Sequence, residues 1–271
     1  MPFVLLGAIV LCLALSPSAL AQELIVHLNG VSAEDGNPLY DADGSTNHVV
    51  IWKGGGTVHV VTGYGLVRDN KGQPYNLRIE NGAIVKIASQ FILRNGFVEW
   101  LPPFPSNGIS NTDNSRDRPG CPVQIEGATI TDIRDDEVGG DTNQDGANSK
   151  PPTPNDIRCQ IEFSGTPNDY LRNSTIKYIE RIRYVGSMDI QNNRFFMLEE
   201  MVSYDSTSLS RESLIGAVPV ISGNTFEFAA YSGSFLNLVG LNPIIQRNTF
   251  RYAVGALRAP NPTAYGEVIR I

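Results

Sequence analysis

The chain repeats the unit Ile-x-x-Asn-x-Phe three times, as Ile190-Gln191-Asn192-Asn193-Arg194-Phe195, Ile221-Ser222-Gly223-Asn224-Thr225-Phe226 and Ile245-Gln246-Arg247-Asn248-Thr249-Phe250. A looser relative is Leu171-Arg172-Asn173-Ser174-Thr175-Ile176. The Asn positions 173, 193, 224 and 248 are 20, 31 and 24 residues apart, a mean of 25, which is a solenoid period. We expect the Ile and Phe side chains to stack inside successive coils. Each Asn should lie at a bend and hydrogen-bond to the next coil.

Outside these repeats the sequence favours short strands. Val58-His59-Val60 and residues 157–163 and 175–179 alternate apolar with polar side chains, and Gly, Asn or Pro separates such runs. After residue 21 no stretch keeps a helical period over three turns. This pattern narrows the fold to an all-β sandwich, barrel or solenoid, and the repeat selects the β-solenoid.

Composition and charge describe a folded, turn-rich and acidic chain. Its 271 residues include 26 Gly and 17 Pro, and 41% are hydrophobic, which is enough to bury a core. The 21 Lys and Arg against 28 Asp and Glu give a net charge of −7. So few basic residues offer little counterion release, and we therefore expect no nucleic-acid partner.

The N-terminus has the pattern of a secretory signal peptide. Residues 3–15 form an apolar or small run, residues 16–18 interrupt it, and Ala19-Leu20-Ala21 is a small-x-small cleavage site. The alternative is an N-terminal membrane anchor, although the run is shorter than the about 20 residues that a spanning helix needs. We expect residues 1–21 to be removed and no transmembrane segment to remain. The mature chain should then be secreted, in the extracellular space or on the cell surface.

Behind the signal, we predict a lead-in or cap over residues 22–56 and a β-solenoid over residues 57–271. An irregular insertion at 101–119 and an acidic loop at 132–150 interrupt the solenoid. Residues 266–271 have the pattern of the middle of a strand without a polar cap. A further hypothesis is therefore that the chain is part of a longer adhesin.

The mature chain keeps two cysteines, Cys121 and Cys159, because Cys12 lies in the signal. An even pair in an oxidising compartment favours a Cys121–Cys159 disulfide, which would stabilise the fold by about 4 kcal/mol on chain-entropy grounds. The alternative is two buried thiols on different strands.

The most distinctive stretch is Asp135-Asp136-Glu137-Val138-Gly139-Gly140-Asp141-Thr142-Asn143-Gln144-Asp145-Gly146. It resembles the acidic turn of a family of bacterial secreted right-handed parallel β-helix repeat proteins. Residues 77–87, 163–165 and 171–178 are similar to neighbouring rungs of that family, and the resemblance covers about residues 57–250. It implies a right-handed parallel β-helix. The about 250 residues that follow the signal, divided by the 25-residue period, predict about ten coils of roughly 25 residues. Family members are adhesive, carbohydrate-active or uncharacterised, so the resemblance says less about activity.

The same stretch offers oxygen ligands for a calcium ion. Asp141-Thr142-Asn143-Gln144-Asp145-Gly146 has oxygen-bearing side chains at positions 1, 3 and 5 and glycine at position 6. Pro152 stands where an EF-hand has its last carboxylate, so a site would have to use additional oxygens. The candidate ligands of a structural Ca²⁺ are Asp135, Asp136, Asp141, Asn143 and Asp145. The alternative is a solvated Asx-turn loop that projects from one coil.

Two enzyme classes fit parts of the sequence. Asp113 and the pair Asp135-Asp136 are similar in order to the carboxylates of polygalacturonase-like hydrolases, but the Gly-His-Gly expected after them is absent. A β-elimination lyase would need Ca²⁺ together with a basic residue such as Arg183. A polysaccharide lyase or glycoside hydrolase is therefore the alternative to a binding protein.

Trp100 and Phe104 are the best candidates for stacking on sugar rings, because Pro102, Pro103 and Pro105 would hold them on a stiff loop. The alternative is that they belong to the core. The function that the sequence favours is a secreted or cell-surface, adhesin-like, non-catalytic β-helix scaffold. We expect it to bind a polysaccharide or another cell-surface component.

Overall fold

The structure is a computed structural model that describes residues 22–27, 39–40, 46–47, 49–62, 65–66, 76–88, 108–110, 123–146, 152, 159–163, 169–184, 188–198, 200–203, 218–229, 236–238, 243–251 and 269–270. Within these ranges the chain forms strands and no helix, so none of the described segments is a helix able to span a membrane. The predicted all-β class is confirmed.

The strands are short, as expected for segments that alternate with Gly and Asn turns. They are β1 (Leu24–His27), β2 (Leu39–Tyr40), β3 (Thr46–Asn47), β4 (Val49–Trp52), β5 (Val58–Val61), β6 (Gly65–Leu66), β7 (Asn76–Ile79), β8 (Ile84–Ile87), β9 (Gly108–Ser110), β10 (Val123–Glu126), β11 (Thr129–Asp132), β12 (Gln160–Phe163), β13 (Tyr170–Arg172), β14 (Thr175–Lys177), β15 (Arg181–Tyr184), β16 (Asp189–Gln191), β17 (Arg194–Leu198), β18 (Glu200–Ser203), β19 (Val220–Ser222), β20 (Thr225–Ala229), β21 (Leu236–Leu238), β22 (Ile244–Gln246), β23 (Thr249–Arg251) and β24 (Ile269–Arg270).

Three parallel sheets contain all of these strands except the antiparallel pair β2 and β3. The first sheet has the order β1-β5-β8-β11-β14-β17-β20-β23, the second β4-β7-β10-β13-β16-β19-β22, and the third β6-β9-β12-β15-β18-β21-β24. From β4 onward the chain therefore visits the second, first and third sheets in turn. This order is consistent with a β-solenoid, in which each turn of the chain adds one strand to every sheet.

The turns differ in length. Strands of the second sheet begin at residues 49, 76, 123, 170, 189, 220 and 244, so successive turns advance by 27, 47, 47, 19, 31 and 24 residues. The described residues contain seven turns that visit all three sheets. The described residues therefore form fewer coils than the expected ten, because two of the turns, at 47 residues, are almost twice the mean period. Strands β1 and β4 fall in the predicted lead-in and pair with β5 and β7, and β9 falls in the predicted insertion.

The repeat builds the core as the sequence predicted. In the strand register, Phe195 of β17 is paired with Phe226 of β20, and Phe226 is paired with Phe250 of β23. The first two rings stack with centroids 4.8 Å apart and the next two with centroids 4.9 Å apart, both nearly parallel. In the second sheet the equivalent apolar column is Ile125, Leu171, Ile190, Ile221 and Ile245. Stacking of equivalent side chains along the axis is thus confirmed.

An amide ladder runs beside these columns, at the bend between the second and first sheets. The Oδ1 atom of Asn224 accepts from Asn193 N at 2.9 Å and from Asn193 Nδ2 at 3.0 Å. Its Nδ2 donates to Ile190 O at 2.9 Å and to Asn248 Oδ1 at 3.0 Å. The predicted role of Asn193, Asn224 and Asn248 is therefore confirmed.

The assignment of Asn173 to this ladder was wrong by one residue. Ser174 occupies the ladder position, where its backbone N donates to Asn193 Oδ1 at 2.9 Å and its Oγ accepts from Ala128 N at 3.1 Å. Asn173 is exposed and has a positive φ of 51°, a conformation that Asn adopts more readily than most residues. The bend needs one residue with a positive φ, followed by one whose side chain hydrogen-bonds to a neighbouring coil. An Asn suits either position, so an Asn next to a Ser does not by itself show which of the two belongs to the ladder.

Candidate functional site

The acidic turn, residues 132–146, follows β11 and lies against the outer face of the first sheet. Gly139 is the point of closest approach, because a Cβ there would be 3.2 Å from the Cγ2 atoms of both Val58 and Ile84. Val58 on β5 is buried although its side chain faces away from the solenoid core. The turn therefore packs on the sheet at Gly139, whereas Asp141, Gln144 and Asp145 beyond it are exposed, as in the alternative interpretation of a solvated loop.

Two lysines hold the acidic turn in this position. Lys86 on β8 is fully buried, its Nζ donates to the carbonyl oxygen of Gly140, and it lies 4.0 Å from Asp136 Oδ1. Burial lowers the pKa of Lys86, while Asp136 and the other carboxylates of the turn oppose that shift. Because an isolated buried ammonium is very unfavourable, Lys86 depends on these contacts.

Lys177 on β14 is the second lysine of this arrangement. Its Nζ lies 2.8 Å from Asp135 Oδ2 and 3.4 Å from Glu137 Oε2. Thr131, on the strand between the two lysines, donates from Oγ1 to Asp135 Oδ2 at 2.7 Å. The buried Asp135 carboxylate is thus paired with an ammonium and a hydroxyl group.

The beginning of the turn is tied by Asp132 and Arg134. The guanidinium of Arg134 donates from Nε and Nη2 to the buried Asp132 carboxylate, at 2.8 Å and 3.0 Å. The thiol of Cys159 lies 3.4 Å from Asp132 Oδ2 and 3.4 Å from Ile87 O. Burial, followed by the Asp132 charge, raises the pKa of Cys159 well above its usual range, so the group is a neutral thiol.

Cys159 is a free, buried thiol in this structure, and its predicted partner Cys121 lies outside the described residues. The disulfide therefore stays a prediction. Trp100 and Phe104 also lie outside the described residues, so their contact with sugar stays a prediction too.

Three of the five candidate calcium ligands come together at the tip of the acidic turn. Single carboxylate oxygens of Asp136, Asp141 and Asp145 all lie within 4.8 Å of one another. Asn143 is beside them, with Nδ2 donating to Asp145 Oδ2 at 2.7 Å, and Asp141 Oδ2 accepts from Gly146 N at 3.0 Å. Asp135 is engaged instead by Lys177 and Thr131.

The charge balance of the acidic turn is uneven. It contains six carboxylates, Asp132, Asp135, Asp136, Glu137, Asp141 and Asp145, which face the three cations Arg134, Lys86 and Lys177. The local charge is therefore about −3. Among the described residues no cation lies within ion-pair distance of Asp141 or Asp145. Neighbouring exposed carboxylates of this kind are the oxygen ligands that hard divalent cations prefer.

Sequence reasoning missed Lys86, which binds the turn from the sheet beneath it. Its neighbours Val85 and Ile87 belong to the core, so the side chain of Lys86 faces outward. One signal was present, because Val58 and Val60 are apolar at outward positions of the neighbouring strand, where an uncovered sheet would carry polar side chains. Apolar outward positions indicate that another segment covers them.

No family model, curated protein or solved structure matches this chain. The resemblance to secreted β-helix repeat proteins therefore rests on the sequence motifs alone.

Proposed function

We propose that the chain is a secreted or cell-surface right-handed parallel β-helix that binds polysaccharide without cleaving it. The order of the three parallel sheets supports the β-helix. Right-handedness is the expected hand, because parallel strands joined by a crossover follow it in about 98% of cases. In such a fold the outer sheet faces present side chains in regular rows, which suits an extended polymer.

One observation favours binding over lyase chemistry. A β-eliminating enzyme needs a basic side chain beside its acidic site that is able to take a proton from the substrate. Lys177 on β14 is a basic residue of the next coil that contacts the acidic turn, and Asp135 and Glu137 both bind it. Arg181 and Arg183 lie on β15 of the third sheet, whereas the turn lies on the first sheet.

A glycan array followed by product analysis tests this proposal. We expect the mature chain to retain at least one polysaccharide and to release neither unsaturated nor new reducing ends. Release of either product that is lost on Asp141→Ala or Arg183→Ala would instead establish the lyase or hydrolase alternative. Failure to retain any glycan would contradict carbohydrate binding.

A second proposal concerns the tip of the acidic turn, as a structural calcium site. The juxtaposed oxygens of Asp136, Asp141 and Asp145, with no cation paired to the last two among the described residues, favour it. A bound Ca²⁺ would offset their mutual repulsion and hold the turn on the sheet.

Thermal unfolding with and without millimolar Ca²⁺ tests the calcium proposal. We expect Ca²⁺ to raise the midpoint of the wild-type chain and the effect to be lost in Asp145→Asn. Glu126→Gln is a matched control, because it removes a carboxylate on the second sheet, away from the turn. An unchanged wild-type midpoint, or an equal rise in Asp145→Asn, would rule out the site.

A further inference from the structure

Two arginines on the outer face of the first sheet share one carboxylate. Glu227 on β20 accepts at Oε2 from Arg194 on β17, with 2.8 Å to Nε and 2.7 Å to Nη2. It accepts at Oε1 from Arg251 on β23, with 2.9 Å to Nη1. The Glu227 side chain is only 12% exposed, whereas those of Arg194 and Arg251 are 58% and 68% exposed.

The two arginines carry more positive charge than is needed to neutralise Glu227. The hydrogen bond from Arg194 is the main cause that lowers the pKa of Glu227, so the carboxylate is ionised and one guanidinium is enough to neutralise it. The second guanidinium leaves a surplus of about one positive charge. Exposed Arg247, in the turn that leads into β23, adds another. A basic patch of this kind stands out on a chain with a net charge of −7.

The two guanidiniums are also held in place. Each has five N–H donors, of which Arg194 uses those of two nitrogens and Arg251 that of one nitrogen on Glu227. Within the described part of the chain the remaining donors have no acceptor, so they can serve a ligand. Thr225 on β20 and Thr249 on β23 occupy the same register position as Arg194, so their side chains lie on the same outer face of the sheet. Strands lie about 4.8 Å apart, which puts the backbones of the two arginines about 10 Å apart along the axis. Side chains fixed in advance lose less entropy when they bind.

We propose that Arg194 and Arg251, positioned by Glu227, bind the carboxylate or sulfate groups of an anionic polysaccharide. This inference rests on the proposed polysaccharide binding and names the site and the class of ligand. Guanidinium groups suit such ligands because they form paired hydrogen bonds with carboxylate and sulfate oxygens. The acidic turn lies on β5 to β14 of the same sheet and reaches Lys177 on β14, the strand next to β17. The polymer is therefore expected to lie along β17, β20 and β23 and to end short of the turn.

Binding to immobilised polygalacturonate, with neutral galactan as the uncharged counterpart, tests the site. We expect the wild-type chain to prefer polygalacturonate and to bind it more weakly as NaCl rises. Arg194→Gln and Arg251→Gln should each weaken binding about tenfold. The double variant Arg78→Gln/Arg172→Gln is the matched control for the double variant Arg194→Gln/Arg251→Gln. It makes the same change in net charge on the second sheet and should bind like the wild type.

The outcomes separate this inference from the proposed function. Retention of neutral polysaccharides alone, galactan among them, would overturn the arginine site and leave polysaccharide binding in place. Retention of no polysaccharide on the glycan array would remove both. Equal weakening in the two double variants would show a general charge effect and overturn the site. A dimer that the Arg194/Arg251 double variant abolishes would assign the patch to a second copy of the chain instead. If the double variant Arg194→Gln/Arg251→Gln does not fold, polygalacturonate binding by Arg251→Gln alone tests the site, because Glu227 is still paired with Arg194 in that variant.

Discussion

Replacement of Asn224 by alanine would test the amide ladder. The side chain of Asn224 is fully buried and makes four hydrogen bonds to the two neighbouring coils. Two of the partner groups, the backbone N–H of Asn193 and the carbonyl of Ile190, are bonded at 2.9 Å and would lose this partner. A buried N–H without a partner is unfavourable by about 1–3 kcal/mol and the other lost hydrogen bonds add to this, so we expect a loss of at least about 1–3 kcal/mol.

Urea unfolding of the wild type and Asn224→Ala measures this loss, as a lower midpoint with a similar slope. In a chain of this size the same loss lowers the thermal midpoint by roughly 2–4 °C per kcal/mol. Asn192→Gly is the control. Asn192 is exposed with a positive φ of 55°, and glycine adopts that conformation without strain, so the change should stay within about 0.5 kcal/mol. If Asn224→Ala lost no more stability than this control, the ladder would not stabilise the fold.

Three further predictions concern the acidic turn and the core. Gly139→Ala and Gly140→Ala place alanine at nearly equal positive φ values, 70° and 72°, but the added Cβ would meet the sheet only at Gly139. The Gly139 variant should therefore lose about 1–3 kcal/mol more in unfolding experiments, and equal losses would contradict the packing of the turn. Burial and the carboxylates of the turn raise the pKa of Tyr178 to about 12, from 10.0. Because the unfolded chain ionises first, stability should fall by on the order of 2 kcal/mol as the pH rises from about 10 to about 12. This dependence should be absent in Tyr178→Phe, and an identical profile in both proteins would refute it. Phe226→Ala removes the middle ring of the stack and should lower the free energy of unfolding by about 3–5 kcal/mol; a loss below about 1 kcal/mol would show that the column closes without it.

The repeated coil could be predicted because its requirements are local. An Ile, an Asn and a Phe at fixed offsets fit one bend and two strands, and the spacing recurs in the sequence wherever that bend recurs. Asn173 was assigned to the ladder because it is an asparagine. The ladder residue is the fourth residue of the unit, and in this coil the fourth residue is Ser174. The number of coils was missed for a different reason, since connection lengths obey no period.

The acidic turn was only partly predictable. Its carboxylates are evident from composition, but their partners are remote, since Lys86 contacts Gly140 across 54 residues of sequence. An acidic stretch read alone indicates solvent or a metal ion, and it cannot show that a lysine from an earlier coil lies beneath it. The outward apolar residues Val58, Val60 and Ile84 were the local sign of this cover.

The unequal turns of this fold have a consequence for how such a chain can change. Successive coils of 47 and 19 residues keep the same register, with Leu171 paired to both Ile125 and Ile190. On loop-closure grounds the entropic difference between closing those two lengths is only about 0.8 kcal/mol. Insertions and deletions between strands are therefore nearly neutral for stability, while a one-residue slip within a strand would misalign every column. New surface segments can be grafted or lost at the connections without altering the spacing of the rows that the sheets present.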